Sequence, residues 1–327
     1  MSKKPVVLMT HPLPTDWIGR YLDDYQVVLD ETGAKGIQGE LQERLPGAVG
    51  ILCLLDDPIP ESVIESAPEL RVISNMAVGV DNIDLNACTQ RGIPVGHTPG
   101  VLTDGTADLT LALLLSVSRQ ISKASTDARE GRWSSWNPIG WLGADLNGAT
   151  AGILGMGKIG SAVARRLSAF GCRILFTNRS PKPELAKKLN AEQVDLDRLL
   201  SESDFLCLHT SLNNETREMI NREAFQKMKT SAILINAARG QVVDTNALLD
   251  ALQSGQIRAA GLDVTDPEPL PADHPLYKLD NCLITPHIGS ATFGTRKAMA
   301  GIALRNLVNG IQGEKLEHCA NPQVYSS

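Results

Sequence analysis

The sequence lacks clustered cysteines, an excess of basic residues and any long apolar run. None of the six cysteines stands at C-x-x-C spacing from another, and the cysteines and histidines form no cluster of the kind that a zinc site needs. The sequence therefore predicts that the protein binds no metal. Several cysteines fall in apolar, strand-like runs, which predicts reduced core thiols in a reducing compartment.

The charge balance argues against a nucleic-acid surface. The chain has 31 Lys and Arg against 37 Asp and Glu, a net charge of -6, whereas phosphate backbones are bound by clustered cations. The most apolar stretch, residues 109–117, is too short to span a bilayer and is flanked by Asp108 and Arg119. The apolar run near the first residue is also too short for a signal peptide. We expect a cytoplasmic protein that contacts neither nucleic acid nor membrane.

Short β-rich runs alternate with helix-compatible stretches, a pattern typical of parallel sheets covered by helices on both faces. The predicted strands cover residues 6–10, 26–29, 50–55, 71–76, 93–96, 149–154, 173–177, 205–209, 232–236, 259–264 and 282–285. Between the two series we predict one helix that begins at Thr103 and runs past Ser122, followed by a tryptophan-rich loop over 133–141. A last helix is predicted over about 291–311.

The length of 327 residues suits two domains better than one. We predict a first domain over residues 1–99 and a dinucleotide-binding domain over 100–285. The last helix, within 286–327, would return to the first domain, which would then be discontinuous. Hydrophobic periodicity alone does not establish that return.

A glycine-rich segment, GILGMGKIG at 152–160, contains G-x-G-x-x-G between a predicted strand and an amphipathic helix. Gly155 permits a tight turn, Gly157 lets the backbone approach a pyrophosphate, and Gly160 lets helix and strand pack closely. The helix N-terminus adds free N–H groups for the phosphates, and the intervening residues complete the predicted cofactor site: Met156, Lys158 and Ile159. The alternative is a tight turn that binds no ligand.

The end of the next predicted strand favours one cofactor over the other. An NAD site needs an acidic residue there for the ribose 2′-OH, but the sequence has Asn178, Arg179 and Ser180. Arg with nearby Asn and Ser donors suits a 2′-phosphate. We therefore predict NADPH as the preferred cofactor and NADH as a weaker one; the alternative is that Arg179 is only a solvated charge.

Three polar residues follow predicted strands and fit the reduction of a 2-keto acid. Hydride adds to C2 while His287 donates a proton to the carbonyl oxygen, and Glu268, fixed between prolines, holds the imidazole. Arg239 would grip the substrate carboxylate and polarise the carbonyl. Taken singly, Arg239 could be a salt-bridge residue, Glu268 a solvated turn acid and His287 a core histidine.

Together these motifs are similar to those of the D-isomer-specific 2-hydroxyacid dehydrogenase family, and most of all to members that reduce glyoxylate and hydroxypyruvate. The matching stretches are SNMAVGVDNID (74–84), GIPVGHTPGVLTDGTADL (92–109), WSSW (133–136), GILGMGKIG (152–160), LINAARGQVVD (234–244), AGLDVTDPEPLP (260–271) and TPHIGSAT (285–292). The resemblance implies an α/β fold of two Rossmann-like, doubly wound parallel-sheet domains with a cleft between them, the last helix returning to the first.

The resemblance also implies roles for individual residues. Arg239, Glu268 and His287 would be the catalytic group. Val78 and Gly79 would offer backbone N–H groups to the substrate carboxylate, with Ser290 nearby. Further residues would line the cofactor site: Thr106, Ser211, Ala237 and Asp263. The family resemblance predicts a homodimer, in which Trp141 would reach the partner's active site or would serve only as an interface anchor.

Other members of the same fold remain as alternatives. A phosphite-oxidising relative would carry a lysine at the position of Val78, so phosphite is disfavoured. A D-lactate-type dehydrogenase that uses NAD would carry an acidic residue near Asn178. A nucleotide-sensing corepressor would bind the cofactor without turnover and would carry longer tails.

Overall fold

The structure, a computed structural model, describes residues 4–326 and divides them into two compact units. The first unit comprises the chain up to Leu102 and again from Thr292 onward, and the second is Thr103–Ala291. Both changes of unit fall where a long helix begins, a few residues after the boundaries that the sequence predicted. The start predicted for the helix at Thr103 therefore marks the change of unit more accurately than the predicted boundary after residue 99.

The first unit contains a five-stranded sheet in the order β2-β1-β3-β4-β5, with every pair parallel. Its aliphatic strands are mostly buried because helices cover the sheet. The elements are β1 (Val6–Met9), α1 (Thr15–Ile18), β2 (Gln26–Leu29), α2 (Gly39–Arg44), β3 (Ala48–Cys53), α3 (Glu61–Glu65), β4 (Val72–Asn75), α4 (Leu85–Gln90) and β5 (Val95–Gly96).

The second unit contains a seven-stranded parallel sheet in the order β12-β11-β10-β9-β6-β7-β8. Two apolar clusters cover its two faces. The elements are α5 (Thr103–Ser118), α6 (Ile121–Arg129), β6 (Thr150–Leu154), α7 (Lys158–Ala169), β7 (Arg173–Thr177), α8 (Pro183–Leu189), β8 (Ala191–Gln193), α9 (Leu196–Glu202), β9 (Phe205–Leu208), α10 (Arg222–Lys227), β10 (Ile233–Asn236), α11 (Thr245–Ser254), β11 (Ala259–Leu262) and β12 (Cys282–Ile284).

The last helix, α12 (Phe293–Gln312), packs against the sheet of the first unit. Small residues permit the close approach: a Cβ added at Gly310 would lie 2.5 Å from Val72. Ser74 in β4 donates its hydroxyl to the carbonyl of Ala303 at 2.7 Å. The chain therefore leaves the first unit at Thr103 and returns to it with its final helix.

The fold prediction of two doubly wound parallel sheets is confirmed. One element was predicted wrongly: the helix from Thr103 ends at Ser118 instead of running past Ser122. Gln120 adopts a left-handed φ of 51°, and a separate helix, α6, starts at the next residue. The backbone at Gly143 packs directly on the Ser118 carbonyl, which also accepts from Ala144 N at 2.9 Å. This cap comes from a distant segment, so helical periodicity gave no sign of it.

The sequence also missed β8, a short polar strand at the edge of the second sheet. Its residues Ala191–Gln193 show none of the apolar enrichment on which strand prediction depends. Within residues 4–326, no helix has both the length and the apolar character required to cross a bilayer.

Candidate active site

The predicted catalytic residues of the second unit follow strands whose carboxyl ends share one edge of the sheet. Strands β10, β11 and β12 are neighbours, and they are followed by Arg239, Glu268 and His287. The glycine-rich turn follows β6, which lies beyond β9 in the same sheet. Ligands of open α/β sheets bind at this edge, where parallel strands end.

His287 and Glu268 form a direct pair. The imidazole Nδ1 lies 2.6 Å from Oε1 of Glu268, and the two side chains are 23% and 32% exposed. The second carboxylate oxygen of Glu268 accepts a hydrogen bond from Thr265 N at 3.3 Å. One oxygen therefore faces the imidazole while the other is tied to the backbone.

Asp263 shapes the backbone around the imidazole. Its carboxylate accepts from Ile288 N and Gly289 N, both at 2.8 Å, and from the Thr285 hydroxyl at 2.7 Å. Burial raises the pKa of Asp263, and these hydrogen bonds act in the opposite direction by favouring its ionised form. The carboxylate predicted for the cofactor site thus also clamps the loop that carries His287.

That loop holds His287 at a φ of +53°, in the left-handed region that residues with a Cβ rarely occupy. The backbone N–H of His287 donates to the Asp263 carbonyl at 2.9 Å. Such conformations cost about 1–3 kcal/mol and persist where the surroundings enforce them. Here the enforcing contacts come mainly from Asp263, directly after β11, and the His287 N–H also donates to the Thr285 carbonyl at 3.0 Å.

Arg239 is placed by Asn236, the last residue of β10. The Asn236 amide accepts from Ala238 N at 3.1 Å and donates to the Arg239 carbonyl at 2.9 Å, which fixes the turn between them. The next residue, Gly240, packs on the Thr265–Asp266 backbone so closely that a Cβ would overlap the Thr265 carbonyl. The Arg239 and Glu268 segments are therefore held against each other.

The glycine-rich turn has the geometry that a dinucleotide requires. Gly155 has a φ of +98°, and a Cβ there would lie 2.6 Å from the His209 carbonyl. A Cβ at Gly160 would overlap the Gly155 carbonyl, whereas at Gly157 it would meet no atom of residues 4–326 within 4 Å. Two glycines are needed for packing, and the third leaves open space beside the N-terminus of α7, so the turn fits a pyrophosphate.

Around this turn, Asn178 accepts a hydrogen bond from Met156 N at 3.2 Å and donates to the Ser180 carbonyl at 3.0 Å. Arg179 is exposed and forms no ion pair with any residue of the described chain. Lys158 and Ile159 open α7, with Lys158 exposed and Ile159 half-buried. Asn178 thus connects the glycine-rich turn to the loop that follows β7.

The other predicted cofactor residues are dispersed along the sheet edge. Ser211 follows β9, and its carbonyl accepts from the Thr216 hydroxyl at 2.7 Å. Ala237 follows β10 and is half-buried. Thr106 in α5 is buried beside Gly289, the residue that precedes the predicted substrate contact Ser290. Ser290 itself is 9% exposed.

In the first unit, Val78 and Gly79 lie in a loop after β4, which we call the 77–80 loop. Its four successive carbonyls accept hydrogen bonds from one group each: Thr98 N for Ala77, His97 Nδ1 for Val78, Asn75 Nδ2 for Gly79 and Ile83 N for Val80. The structure records no acceptor within residues 4–326 for the four N–H groups. Successive backbone N–H groups of this kind attract anions.

Trp141 lies in the loop between α6 and β6. Its indole N–H donates to Asp127 at 2.7 Å, and this bond, with one from Arg132, lowers the pKa of Asp127. The indole is therefore tied to the chain's own α6. No group of three His, Cys, Asp or Glu side chains among the described residues could hold a metal ion.

Sequence reasoning missed three residues that hold the predicted catalytic side chains or their loops: Asn236, Thr265 and Thr285. Each ends a strand or follows one within a few residues, where short polar side chains often bind neighbouring backbone. That position was the available signal. Asn236 and Thr265 bind residues of their own segments, whereas the partner of Thr285 is Asp263, which follows the neighbouring strand β11 and emerges only from the sheet order.

Comparison with known proteins agrees with this geometry. The family model of the D-isomer specific 2-hydroxyacid dehydrogenase, NAD binding domain, matches residues 111–289. The glyoxylate reductase/hydroxypyruvate reductase of Mus musculus is 48% identical over 279 residues, which is 85% of each chain. The glyoxylate reductase of Korarchaeum cryptofilum is 43% identical, over 98% of this chain and 97% of its own.

Solved structures agree as well. The NADPH-dependent glyoxylate/hydroxypyruvate reductase of Sinorhizobium meliloti, in complex with NADP and malonate, has a TM-score of 0.86 to this chain. It is 30% identical, and the match covers 97% of both chains.

Proposed function

Since the chain belongs to the D-isomer specific 2-hydroxyacid dehydrogenase family and is an NAD(P)-dependent dehydrogenase, we propose that it reduces glyoxylate and hydroxypyruvate, to glycolate and D-glycerate. The observation that carries this proposal is the 2.6 Å pair of His287 and Glu268 at the strand ends that also bear Arg239 and the glycine-rich turn. Two close relatives named for these reductions support the choice of substrate.

In this mechanism a bound nicotinamide supplies the hydride that adds to the keto carbon. His287 donates a proton from Nε2 to the carbonyl oxygen, because its Nδ1 is engaged by Glu268. Glu268 orients the ring through its 2.6 Å contact with Nδ1. The hydrogen bond from Thr265 N keeps the carboxylate turned toward the imidazole.

The substrate carboxylate would be bound by charge and by backbone. Arg239 offers two N–H donors to a carboxylate and polarises the adjacent carbonyl. Val78 and Gly79 offer the N–H groups of the 77–80 loop, and Ser290 a hydroxyl. Glyoxylate and hydroxypyruvate both present a carboxylate next to the reacting carbonyl, which is the common feature that these groups recognise.

For the cofactor we propose a preference for NADPH, with NADH used less well. The exposed Arg179 and the Asn178 and Ser180 donors follow β7, the strand next to the glycine-rich turn. An acidic residue that would bind a ribose 2′-OH and repel a 2′-phosphate does not occur there. The Sinorhizobium relative is named as NADPH-dependent, which is consistent with this preference.

The test is a substrate panel followed by absorbance of the reduced cofactor: glyoxylate, hydroxypyruvate and pyruvate, each with NADPH and with NADH. We expect turnover of the first two that His287→Ala lowers by about 10²-fold or more, since proton transfer contributes about 10²–10⁴-fold. Pyruvate as the best substrate would indicate a D-lactate-type enzyme. Cofactor binding without any turnover would indicate a sensor and contradict the proposal.

The cofactor preference is tested with Arg179→Ala, with Lys187→Ala as a matched exposed cation on α8. We expect Arg179→Ala to lower kcat/KM for NADPH about tenfold or more and to leave NADH unchanged, since one lost charged hydrogen bond costs about 1.5–3 kcal/mol. Lys187→Ala should change neither. A wild-type preference for NADH would overturn this part of the proposal.

We further propose that the protein is a cytoplasmic homodimer joined through its cofactor domains. The loop after α6 exposes an apolar group that a partner would cover: Trp133 (64% exposed), Trp136 (83%), Ile139 (75%) and Leu142 (61%). We expect light scattering to give twice the mass of 35.1 kDa and Trp136→Ser to weaken the dimer. A monomeric wild-type protein would contradict it.

A further inference from the structure

Within residues 4–326, the recorded hydrogen bonds of the 77–80 loop all go to its carbonyls. Its carbonyls face Asn75, His97, Thr98 and Ile83, which belong to the body of the first unit. A trans peptide directs its N–H opposite to its C=O. Any group that fixes the carbonyl of Val78 therefore also fixes the N–H of Gly79, the donor on the other side of that peptide.

His97 fixes that peptide through its side chain. Its Nδ1 lies 3.0 Å from the Val78 carbonyl, and because a carbonyl only accepts, this nitrogen carries the hydrogen. Neighbouring contacts set the place of the ring: the His97 carbonyl accepts from Asn306 in α12 at 3.1 Å, and the ring packs edge-on against His318. Its location is thus determined by parts of the chain far from Val78 in sequence.

The other carbonyls of the loop are held differently. Thr98 and Ile83 use backbone N–H groups, which any residue type would supply. Asn75 is fully buried and anchored to Asn82. His97 is the half-exposed side chain in the set, and it acts on the peptide between Val78 and Gly79, the two residues to which we assign the substrate carboxylate.

We propose that His97 is a positioning residue for substrate: its Nδ1–H holds the Val78 carbonyl and so aims the Gly79 N–H at the carboxylate of a 2-keto acid. This inference rests on the proposed function. The carboxylate is the same in the ground state and during hydride addition, so its binding lowers KM and leaves kcat little changed.

The test compares three variants. His97→Phe keeps a ring but removes the donor, whereas His97→Asn keeps an N–H donor two bonds from Cβ, as Nδ1 is in histidine. His318→Phe is the matched control, because it alters the ring packed against His97 without touching the loop. Steady-state kinetics with glyoxylate and NADPH give KM and kcat, and fluorescence titration gives the Kd for NADPH.

We expect His97→Phe to raise KM for glyoxylate about tenfold, which corresponds to one hydrogen bond of about 1.4 kcal/mol. The kcat and the Kd for NADPH should stay within about twofold. His97→Asn should restore KM to within about threefold of wild type, and His318→Phe should not change it. An unchanged KM in His97→Phe, or an equal rise in all three variants, overturns the inference.

A second readout separates this inference from the proposed function. Calorimetric titration with oxalate, a dicarboxylate that cannot be reduced, measures anion binding without turnover. If the wild type binds oxalate but reduces no keto acid, the proposed function fails, and a Kd weakened only in His97→Phe still supports the role of His97. If oxalate binds His97→Phe as it binds wild type, or does not bind wild type at all, the role of His97 is refuted.

Discussion

The glycine-rich turn of the second unit and the 77–80 loop of the first both present backbone N–H groups, but they are held in shape by different means. In the turn, Gly155 and Gly160 pack so closely that a Cβ would meet backbone oxygen. The loop has one glycine, at position 79, and its other three residues carry side chains. Side-chain donors of Asn75 and His97 hold the carbonyls of Gly79 and Val78.

This difference decides what a substitution does at each place. In the turn, shape depends on the absence of side chains at Gly155 and Gly160, so atoms added at these two positions disrupt it. In the loop, shape depends on hydrogen bonds from outside, so removed atoms disrupt it. Replacement of a packed glycine should therefore disrupt the turn, whereas truncation of a hydrogen-bonding side chain should disrupt the loop.

The largest expected effect concerns His209, whose carbonyl lies behind Gly155. Burial lowers the pKa of His209 to about 4, and both ring nitrogens are enclosed without a partner in the described part of the chain. An unfolded histidine titrates near 6.5, so the unfolded state alone takes up a proton between about pH 6.5 and 4. The free energy of unfolding should therefore fall by about 3 kcal/mol as the pH is lowered through that range, because each unit of pKa difference corresponds to about 1.4 kcal/mol.

Urea denaturation at pH 7.5 and 4.5 measures this loss. His209→Leu takes up no proton, so its free energy of unfolding should depend less on pH than that of wild type. Equal pH dependence in the two proteins would show that His209 is accessible to protons in the folded state. The 77–80 loop, which has no such enclosed histidine, should contribute nothing to this difference.

Next in size is the effect of alanine in the turn. Gly157→Ala adds a Cβ where residues 4–326 offer no contact, so the melting temperature should not change. The same Cβ would meet a pyrophosphate, and we expect NADPH binding to weaken about 100-fold, within the 1–3 kcal/mol typical of overpacking. Fluorescence titration and thermal unfolding measure the two effects.

Gly160→Ala is the comparison for that variant, because its Cβ would overlap the Gly155 carbonyl. Both the melting temperature and NADPH affinity should fall. If Gly157→Ala bound NADPH as wild type does, the backbone at this position would not contact the cofactor.

A smaller effect is expected from truncation at the loop. Asn75→Ala removes the donor to the Gly79 carbonyl, and KM for glyoxylate should rise about tenfold with NADPH affinity unchanged. Ser74→Ala is the matched control, since it removes one buried hydrogen bond, to Ala303, from the same strand. Both should lose about 1–3 kcal/mol of stability, but only Asn75→Ala should change KM. Equal KM values in both variants would contradict the role of Asn75.

The smallest expected effect is at Asn178, the side chain that reaches the glycine-rich turn. Asn178→Ala leaves Met156 N without its acceptor, at a cost of about 1 kcal/mol. NADPH affinity should fall only about fivefold, because the glycine packing holds the rest of the turn. A loss as large as that of Gly157→Ala would show that this turn, like the loop, depends on side-chain hydrogen bonds.

The same contrast explains how far the sequence could predict the structure. Gly155, Gly157 and Gly160 form a motif because their reasons for being glycine are local, within one strand, turn and helix. The alternation of strands and helices likewise predicted both sheets. His287 and Glu268 were predicted to pair, and the sheet order brings their strands side by side.

What the sequence could not predict depends on contacts between distant segments. His97 binds a carbonyl 19 residues away, and Asp263 binds N–H groups 25 and 26 residues away. The break at Gln120 follows from packing at Gly143. None of these spacings matches the period of a helix or a strand, so no local sequence pattern predicts these contacts.

The left-handed backbone at His287 has a consequence for the motions of the site. Because Asp263 enforces that conformation through groups of the protein alone, the imidazole is aimed before any ligand arrives. The conformational entropy of this loop is already lost when the protein folds. Ligand binding therefore costs little further entropy at this loop. The amide signals of residues 287–289 should accordingly be sharp in the free enzyme and should remain single on titration with ligand.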